Sequence, residues 1–312
     1  MRRVLILIIF ALVLISAIIA CTPAAAPGPV TTPIPTKTTE PNAIPEISNS
    51  SGQTSVQEPT TTTPQVIEPV QAIAAEELKV HFIDVGQGDS ILIDLGQTEI
   101  LIDGGGKSPG ITSYLRSYVD HEIEVMIATH PHADHIGGLI KVLAAFDVGD
   151  IWHNGDSATS KTYSEFIRGI ESEGAEIHIA KLHDVIEAGE LSLFVHHPVS
   201  LEDSTNNNSV VLHLAFGEID FLFTGDAEQE AEGQMMMLSS VKIPEVEVLK
   251  VGHHGSYTAS SPDILSIMSP EVAIYMAKEG NSYGHPHQET IDGLNAIGAK
   301  IYGTDINGIV PS

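Results

Sequence analysis

The chain has 312 residues, of which 41 are Asp or Glu and 14 are Lys or Arg, so its formal net charge is −27 at pH 7. Such an acidic chain is not expected to hold nucleic acid through a basic surface, because phosphate binding depends on Lys and Arg that neutralise the backbone. Cys21 is the only cysteine in the sequence, so no disulfide can form within the chain, and a folded domain must be stabilised by its core or by bound metal.

The first 20 residues have the layout of a targeting signal. Arg2 and Arg3 precede the apolar run VLILIIFALVLISAIIA, which ends in a small residue directly before Cys21. The run is nearly long enough to span a bilayer, so a permanent membrane anchor is the alternative. The tetrad IIAC at 18–21 resembles a bacterial lipobox, which implies cleavage before Cys21 and a lipid on that cysteine. Both interpretations predict an extracytoplasmic protein that is tethered to the membrane.

A change of composition separates this signal from a folded domain. Residues 21–77 are rich in Thr, Pro, Ser, Ala and Glu, as in TTPIPTKTTEP and EPTTTTPQ. Such a segment has too little apolar surface to offset chain entropy, so a disordered linker is predicted. Residues 78–312 are long enough for one domain with a substantial core. This domain holds 35 acidic and 11 basic residues, a net charge of −24.

The first half of the domain contains short runs rich in Ile and Val, bounded by Gly or Asp, which favours strands over helices. The predicted strands cover residues 78–85, 90–95, 99–105 and 124–130. Helical patterns follow some of them, and the predicted helices cover residues 110–119, 135–146 and 162–174.

The second half continues the alternation. A predicted hairpin joins the strands 209–216 and 219–226 by a turn at Gly217-Glu218. A helix rich in Met and Gln follows, and the remaining predicted elements are strand 246–252, strand 272–277, helix 287–298 and strand 300–304. The pattern indicates an α/β fold with two strand-rich halves, each covered by helices.

The segment THPHADH at 129–135 places His130, His132, Asp134 and His135 between the end of a predicted strand and the start of a helix. Side chains on so short a turn can converge on a small volume. Imidazole nitrogen and carboxylate oxygen are the ligand types for zinc and similar divalent ions, with bonds of roughly 2.0–2.2 Å. These four side chains are therefore candidate metal ligands.

The spacing H-x-H-x-D-H resembles the signature of the metallo-β-lactamase superfamily, which implies a four-layer αββα sandwich that binds one or two divalent ions. Three further segments occur in the order that the superfamily has. LIDGG resembles its early aspartate motif, and Asp103 would orient the ligand loop without binding metal itself. FLFTGDAE puts Asp226 where the superfamily has a carboxylate that bridges two metals. KVGHHGS supplies either His253 or His254 as a ligand of the second metal.

Four motifs narrow the resemblance: FIDVGQGDS, NNNSVVL, KVGHHGS and YGHPH. Together they are similar to the extracellular hydrolase domain of the ComEC/Rec2 competence family and to related choline-binding phosphodiesterases. The likeness covers residues 78–312.

The sequence departs from the superfamily pattern at the first metal site. Most of the superfamily has another histidine just before the strand that leads to the bridging aspartate, where this chain has three asparagines. The first site would then take only His130, His132 and Asp226 from the protein, with water completing it. Asn207 and Asn208 are predicted to lie around this site or to contact the substrate.

The resemblance implies a metal-dependent extracellular hydrolase, either a phosphodiesterase or a nuclease, that uses one or two Zn or Mn ions. Its nucleophile would be a metal-bound hydroxide, since such ions lower the pKa of bound water towards ~7. Asp134 is also predicted to steer the proton of this water, and His285 in YGHPH to contact the phosphate or protonate the leaving group. The expected substrate is a phosphodiester in nucleic acid or in the cell envelope, and the acidic domain favours the envelope. Lipid on Cys21 would provide contact with the membrane.

A different class of function stays open, namely a lipid-anchored binding or scaffolding protein whose metal is structural. The complete ligand motifs count against it, because a structural site is usually closed and four-coordinate. A β-lactamase fits less well, since the narrower motifs indicate another subfamily. His287, next to His285 in YGHPH, is interpreted as an ordinary histidine at a helix start.

Overall fold

The computed structural model of the chain describes residues 77–107, 110–238 and 242–311. The predicted signal peptide over residues 1–20, and the predicted linker over 21–77 except its last residue, lie outside this part. No helix within the described ranges combines the length and the apolar character that crossing a bilayer requires.

The described part of the domain contains fourteen strands in two sheets. In chain order they are β1 (Lys79–Phe82), β2 (Ile91–Leu95), β3 (Thr98–Ile102), β4 (Ile123–Ala128), β5 (Val148–His153), β6 (Glu176–Ile179), β7 (Val185–Ala188), β8 (Leu191–His197), β9 (Val211–Phe216), β10 (Ile219–Phe223), β11 (Val248–Lys250), β12 (Val272–Tyr275), β13 (Lys300–Gly303) and β14 (Val310–Pro311). Sheet 1 has the order β14-β1-β2-β3-β4-β5-β6, and sheet 2 has the order β13-β12-β11-β10-β9-β8-β7. Both sheets mix antiparallel and parallel pairs.

Helices cover the outer face of each sheet. They are α1 (Gly110–Leu115), α2 (Ala133–Ile136), α3 (Leu139–Val142), α4 (Lys161–Glu173), α5 (Gln229–Met237), α6 (Pro262–Met268), α7 (Gln288–Ala296) and α8 (Thr304–Asn307). Apolar residues of α1 to α4 pack on sheet 1, and those of α5 to α7 pack on sheet 2. A third apolar cluster lies between the two sheets. The predicted four-layer αββα sandwich is confirmed.

Strand β2 shows why the central strands have nearly continuous apolar sequences. Ile91 and Ile93 face the cluster between the sheets, whereas Leu92 packs beneath the first helix layer. Alternate residues of a strand point to opposite faces, so a strand covered on both faces needs apolar residues throughout. Each such side chain contributes about 1.5–3 kcal/mol when buried. A core of this kind is expected to keep the domain folded when a metal ligand is removed.

The predicted helix over 135–146 is wrong in its bounds, because two short helices, α2 and α3, take its place. The break falls at Gly138, where a Cβ atom would overlap the carbonyl oxygen of Gly104. This close approach holds the end of α2 against the loop after β3. Helix α2 also begins before the predicted start, so Asp134 and His135 lie in its first turn.

Candidate metal centre

The side chains that could bind metal lie at one end of the sandwich, because the loops that carry them follow neighbouring parallel strands. Strands β3 and β4 are parallel neighbours in sheet 1, and β10 and β11 are parallel neighbours in sheet 2. Loops that follow neighbouring parallel strands leave the sheet at the same edge. These loops bring four predicted site residues to one place: Asp103 after β3, His130 after β4, Asp226 after β10 and His254 after β11.

The carboxylate of Asp226 is the point on which the histidines converge. Its Oδ2 atom lies 3.2 Å from Nε2 of His135, 3.4 Å from Nε2 of His254 and 3.7 Å from Nε2 of His130. Asp226 is 2% exposed, so this convergence occurs away from bulk water.

Two groups of potential ligands share Asp226. The first is His130, His132 and Asp226, the set predicted for the first metal site, whose ligand atoms all lie within 4.8 Å of one another. The second brings together Asp89, His135, Asp226 and His254 within the same limit. A carboxylate common to two groups can bridge two cations.

Asp134 extends the second group. Its Oδ2 atom lies 3.5 Å from Nε2 of His254, and the carboxylate is partly exposed. All four residues of the H-x-H-x-D-H spacing therefore face the same small volume.

Polar atoms at this centre test whether a divalent ion would fit. Nε2 of His130, His135 and His254 and Oδ1 of Asp226 are buried, and none of the four makes a hydrogen bond within the described residues. A buried polar atom without a partner is costly. Imidazole nitrogens and carboxylate oxygens are ligands that suit zinc and related ions, so the donor set fits a divalent cation.

The pKa shifts agree with a site built for cations. Burial and the neighbouring His135 hold the pKa of His130 well below its usual value, so His130 is neutral and can ligate. Burial alone raises the pKa of Asp226, but His254 and His135 outweigh it and keep the pKa of this carboxyl well below its usual range. In the metal-free protein His135 and His254 therefore compensate the charge of Asp226.

Asp103 orients His135 and is not itself among the converging ligand atoms. Its Oδ1 accepts a hydrogen bond from the backbone N–H of Thr129 at 2.8 Å, and its Oδ2 accepts one from the Thr129 hydroxyl at 2.6 Å. Oδ2 also lies 2.7 Å from Nδ1 of His135. With Nδ1 held in this way, Nε2 of His135 points to Asp226.

The two neighbouring histidines after β11 have different surroundings. His254 is buried, and its Nδ1 lies 3.0 Å from the carbonyl oxygen of Met276, which leaves Nε2 towards Asp226. His253 is half-buried, and its Nδ1 lies 2.9 Å from Oε1 of Glu228. Both histidines have positive φ, 46° and 55°. Such strain costs about 1–3 kcal/mol per residue and clusters at functional sites.

A cavity of about 340 Å³ opens above the candidate ligands. His132, Asp134, Asp226, His253 and His254 lie on its floor and walls. The other side chains that line it include Gln87, Asn206, Tyr283 and His285.

His285, predicted to contact the phosphate or to protonate the leaving group, lines the cavity. Its Nδ1 is buried and makes no hydrogen bond within the described residues. Burial and the neighbouring His253 lower the pKa of His285 to about 4. His287 instead accepts a hydrogen bond from the backbone N–H of Tyr257 at 3.2 Å, and it occupies the N-cap position of α7 without a capping bond from its side chain.

Among the described residues Asn206 is the asparagine that lines the cavity, and the predicted Asn207 and Asn208 follow it in the same helical turn. Oδ1 of Asn207 accepts hydrogen bonds from the backbone at the start of α5, at 3.1 and 3.4 Å. Nδ2 of Asn208 donates to Asp156 at 2.8 Å, and Oδ1 of Asn208 accepts from the backbone of Glu202 at 2.6 Å. Both side chains thus hold loops in place.

Asp89 and Lys250 belong to this region but were not predicted as site residues. They form a buried ion pair, and Asp89 also lies 3.2 Å from Nδ1 of His254. Both residues occur in motifs that carry the family resemblance, FIDVGQGDS and KVGHHGS, and this was the available signal. A lysine at a strand end is ordinarily exposed, so its burial could not be derived from the pattern.

A four-layer αββα sandwich with a His and Asp cluster at the ends of parallel strands defines a metal-dependent hydrolase fold. The sequence profile of the Metallo-beta-lactamase superfamily matches residues 83–277. The chain belongs to this superfamily, as the H-x-H-x-D-H spacing predicted.

The chain is also similar to curated bacterial proteins. It is 29% identical to ComE operon protein 3 of Bacillus subtilis, with 76% of this chain and 33% of that protein covered. It is 30% identical to Recombination protein 2 of Haemophilus influenzae, with 74% of this chain and 28% of that protein covered. The predicted resemblance to the competence family is confirmed, although the chain spans only about a third of the length of these relatives.

Solved structures share the fold at low sequence identity. The metallo-beta-lactamase fold protein YhfI from Bacillus subtilis matches with a TM-score of 0.53 and 12% identity, covering 76% of this chain and 100% of that chain. CmlA, a diiron beta-hydroxylase from Streptomyces venezuelae, matches with a TM-score of 0.51 and 14% identity, covering 76% and 54%. The fold implies divalent metal ions but does not determine which metal is bound.

Proposed function

We propose that the chain is an extracytoplasmic, metal-dependent phosphodiesterase that binds one or two Zn or Mn ions. The observation that carries this proposal is the convergence of three histidines on Asp226 beneath an open cavity. A shared carboxylate below an open cavity supports a catalytic centre, because structural zinc sites are closed by four protein ligands.

Bound divalent ions would lower the pKa of a coordinated water, which activates it near neutral pH. They would also stabilise the negative charge that develops on the phosphoryl oxygens. The protein side chains orient the reactants. Burial raises the pKa of Asp134, but the nearby His254 and His135 outweigh it and hold the pKa of this carboxyl below its usual value. Asp134 is therefore ionised and can accept a proton from the attacking water. His285, with its pKa lowered to about 4, is neutral at pH 7. This supports a hydrogen bond to the phosphate over protonation of the leaving group.

A nuclease is the second candidate. One relative carries the name of a recombination protein, and an exposed aromatic ring lies at the cavity. Tyr283 is 64% exposed and stacks on His285 with ring centroids 5.6 Å apart. An exposed tyrosine can stack a nucleobase, which is worth about 1–3 kcal/mol. The net charge of −24 over residues 78–312 opposes this substrate, because a polyanion is repelled until salt screens the charge over about 8 Å.

A salt series with two substrates separates these candidates. We expect hydrolysis of a small chromogenic phosphodiester to change little with salt. KM for single-stranded DNA should fall between low and moderate salt as the repulsion is screened. Tyr283→Ala should raise KM for DNA about tenfold if a base stacks there. Tyr257→Ala is the matched control, because Tyr257 is similarly exposed but does not line the cavity.

Three results would contradict parts of this proposal. DNA cleavage that weakens steeply as salt is added would indicate a basic binding track and would refute the electrostatic argument. A Tyr283→Ala variant with unchanged KM for DNA would refute stacking. Metal binding without hydrolysis of any diester would favour the alternative of a binding or scaffolding protein with a structural metal.

Location is a separate proposal, which rests on the sequence around Cys21. We propose that cleavage before Cys21 yields a lipid-anchored protein. Cys21→Ala is expected to release the protein from the membrane or to leave its precursor unprocessed. Fractionation followed by immunoblotting measures this, and wild-type protein found soluble in the cytoplasm would contradict the proposal.

A further inference from the structure

Lys250 and Asp89 form a buried ion pair at the end of the sandwich that carries the metal centre. Lys250 is the last residue of β11 and shares a face with Val248, which packs between the sheets. Asp89 precedes β2 and shares a face with Ile91, which packs in the same cluster. Since alternate residues of a strand share a face, the pair connects the two sheets beneath the candidate ligands. The Lys250 side chain is 0% exposed and that of Asp89 is 2% exposed.

Each member of the pair also contacts the surroundings of a candidate ligand. Nζ of Lys250 donates to the backbone carbonyl that precedes Asp226 at 2.8 Å, and it lies 4.0 Å from Oδ1 of Asp226. Oδ1 of Asp89 lies 3.2 Å from Nδ1 of His254, an atom that also faces the carbonyl of Met276. A carboxylate beside the non-ligating nitrogen of a histidine fixes the ring orientation and raises its basicity as a ligand.

The net charge of the ionised groups around the metal centre shows what Lys250 contributes. Among the described residues, four carboxylates lie within 4.0 Å of His135 or His254, namely Asp89, Asp103, Asp134 and Asp226, and one ammonium group, that of Lys250, lies beside them. With neutral histidines their net charge is −3, and two divalent ions would change it to +1. Without Lys250 the loaded centre would be neutral, so the lysine preserves one positive charge for an anionic substrate.

We propose that Lys250 and Asp89 act together as positioning residues for the metal centre. Asp89 reinforces the orientation that the Met276 carbonyl gives His254, and Lys250 offsets the charge of Asp89, so the pair sets how strongly the centre binds divalent cations. This inference rests on the proposed metal centre and is independent of which diester is the substrate.

The two partners should therefore have opposite effects on metal affinity. Asp89→Asn removes the orienting carboxylate and leaves an ammonium uncompensated beside the cations, so the affinity for Zn²⁺ should fall about 10- to 100-fold. Lys250→Met leaves a carboxylate uncompensated, so the affinity should rise about tenfold. The double variant removes both charges and should bind Zn²⁺ more tightly than Asp89→Asn but less tightly than Lys250→Met.

Metal affinity is measured on the detergent-solubilised full chain by competition with a chromophoric chelator, which needs no substrate. The visible spectrum of the Co²⁺-loaded protein reports whether the ligands of the second site are retained, and circular dichroism reports folding. Lys181→Met is the control, because Lys181 is exposed and outside the centre. It should leave both the affinity and the Co²⁺ spectrum unchanged.

Opposite shifts in the two single variants would support the inference. Weaker binding in both, without recovery in the double variant, would overturn it and leave the pair a purely structural link between the sheets. If Lys250→Met does not fold, the comparison of Asp89→Asn with the double variant decides in the same way: tighter binding by the double variant supports the inference, and equal or weaker binding overturns it. A wild-type protein that binds no metal would remove the proposed function together with this inference, whereas the other results affect the inference alone.

Discussion

Asp226→Asn is expected to lower kcat/KM for phosphodiester hydrolysis at least about a thousandfold, which corresponds to about 4 kcal/mol of transition-state stabilisation. Asp226 belongs to both groups of potential ligands, so one substitution weakens both metal sites. The side chain of Asn has nearly the same shape as that of Asp. The backbone N–H of residue 226, which donates to the Ser209 hydroxyl at 3.1 Å, is unaffected. We therefore expect the variant to fold and to lose metal.

Metal content by mass spectrometry and steady-state kinetics measure this effect, with circular dichroism as the test of folding. Asp203→Asn is the matched control, because Asp203 is exposed and distant in sequence from the ligand motifs. It should keep full metal content and activity. An Asp226→Asn protein with wild-type metal content and activity would show that the two groups of ligands do not depend on a shared carboxylate.

The second large effect distinguishes His253 from His254, which the sequence left as alternative ligands of the second metal. His254→Ala is expected to remove one equivalent of metal and to lower kcat about a hundredfold or more, because this residue is buried with Nε2 3.4 Å from Oδ2 of Asp226. His253→Ala is expected to keep the metal content of the wild type and to raise KM. Its Nε2 lies further from Oδ2 of Asp226, at 3.8 Å, and its Nδ1 is held by Glu228.

Each histidine variant is the control for the other, since both change the same residue type on the same turn. Metal content and kinetics are measured on the two proteins in parallel, and kcat and KM are reported separately. Loss of metal from His253→Ala with retention in His254→Ala would reverse the assignment of the second metal ligand.

Most of the core strands could be predicted, because burial on both faces gives β2, β3 and β4 an unmistakable run of Ile, Leu and Val. Strand β6 was not predicted. It lies at the edge of sheet 1, and the polar and apolar alternation of its sequence EIHI covers only four residues, most of them exposed, which is too short to distinguish it from a loop. The break between α2 and α3 also escaped prediction, since it arises from a contact with Gly104, a residue distant in sequence.

The candidate ligands followed from local spacing, because H-x-H-x-D-H places four of them on one turn. The orientation of each side chain did not follow. Whether His253 or His254 faces Asp226 depends on two backbone conformations with positive φ, and the role of Asn206 depends on how its loop folds over the cavity. The partnership of Asp89 with Lys250 joins two sheets, so no local pattern could contain it.

The measurement that tests the account most directly is reconstitution of the metal-stripped wild-type protein with Zn²⁺ or Mn²⁺, following diester hydrolysis and bound metal together. We expect hydrolysis to be absent without metal and to rise as up to two equivalents bind. Binding should be weaker at pH 6 than at pH 8. Burial lowers the pKa of both His135 and His254, but Asp226 outweighs it and raises their pKa well above the usual value, so the ions must displace protons. Hydrolysis that persists in the stripped protein, or two bound equivalents without hydrolysis of any diester, would contradict the account.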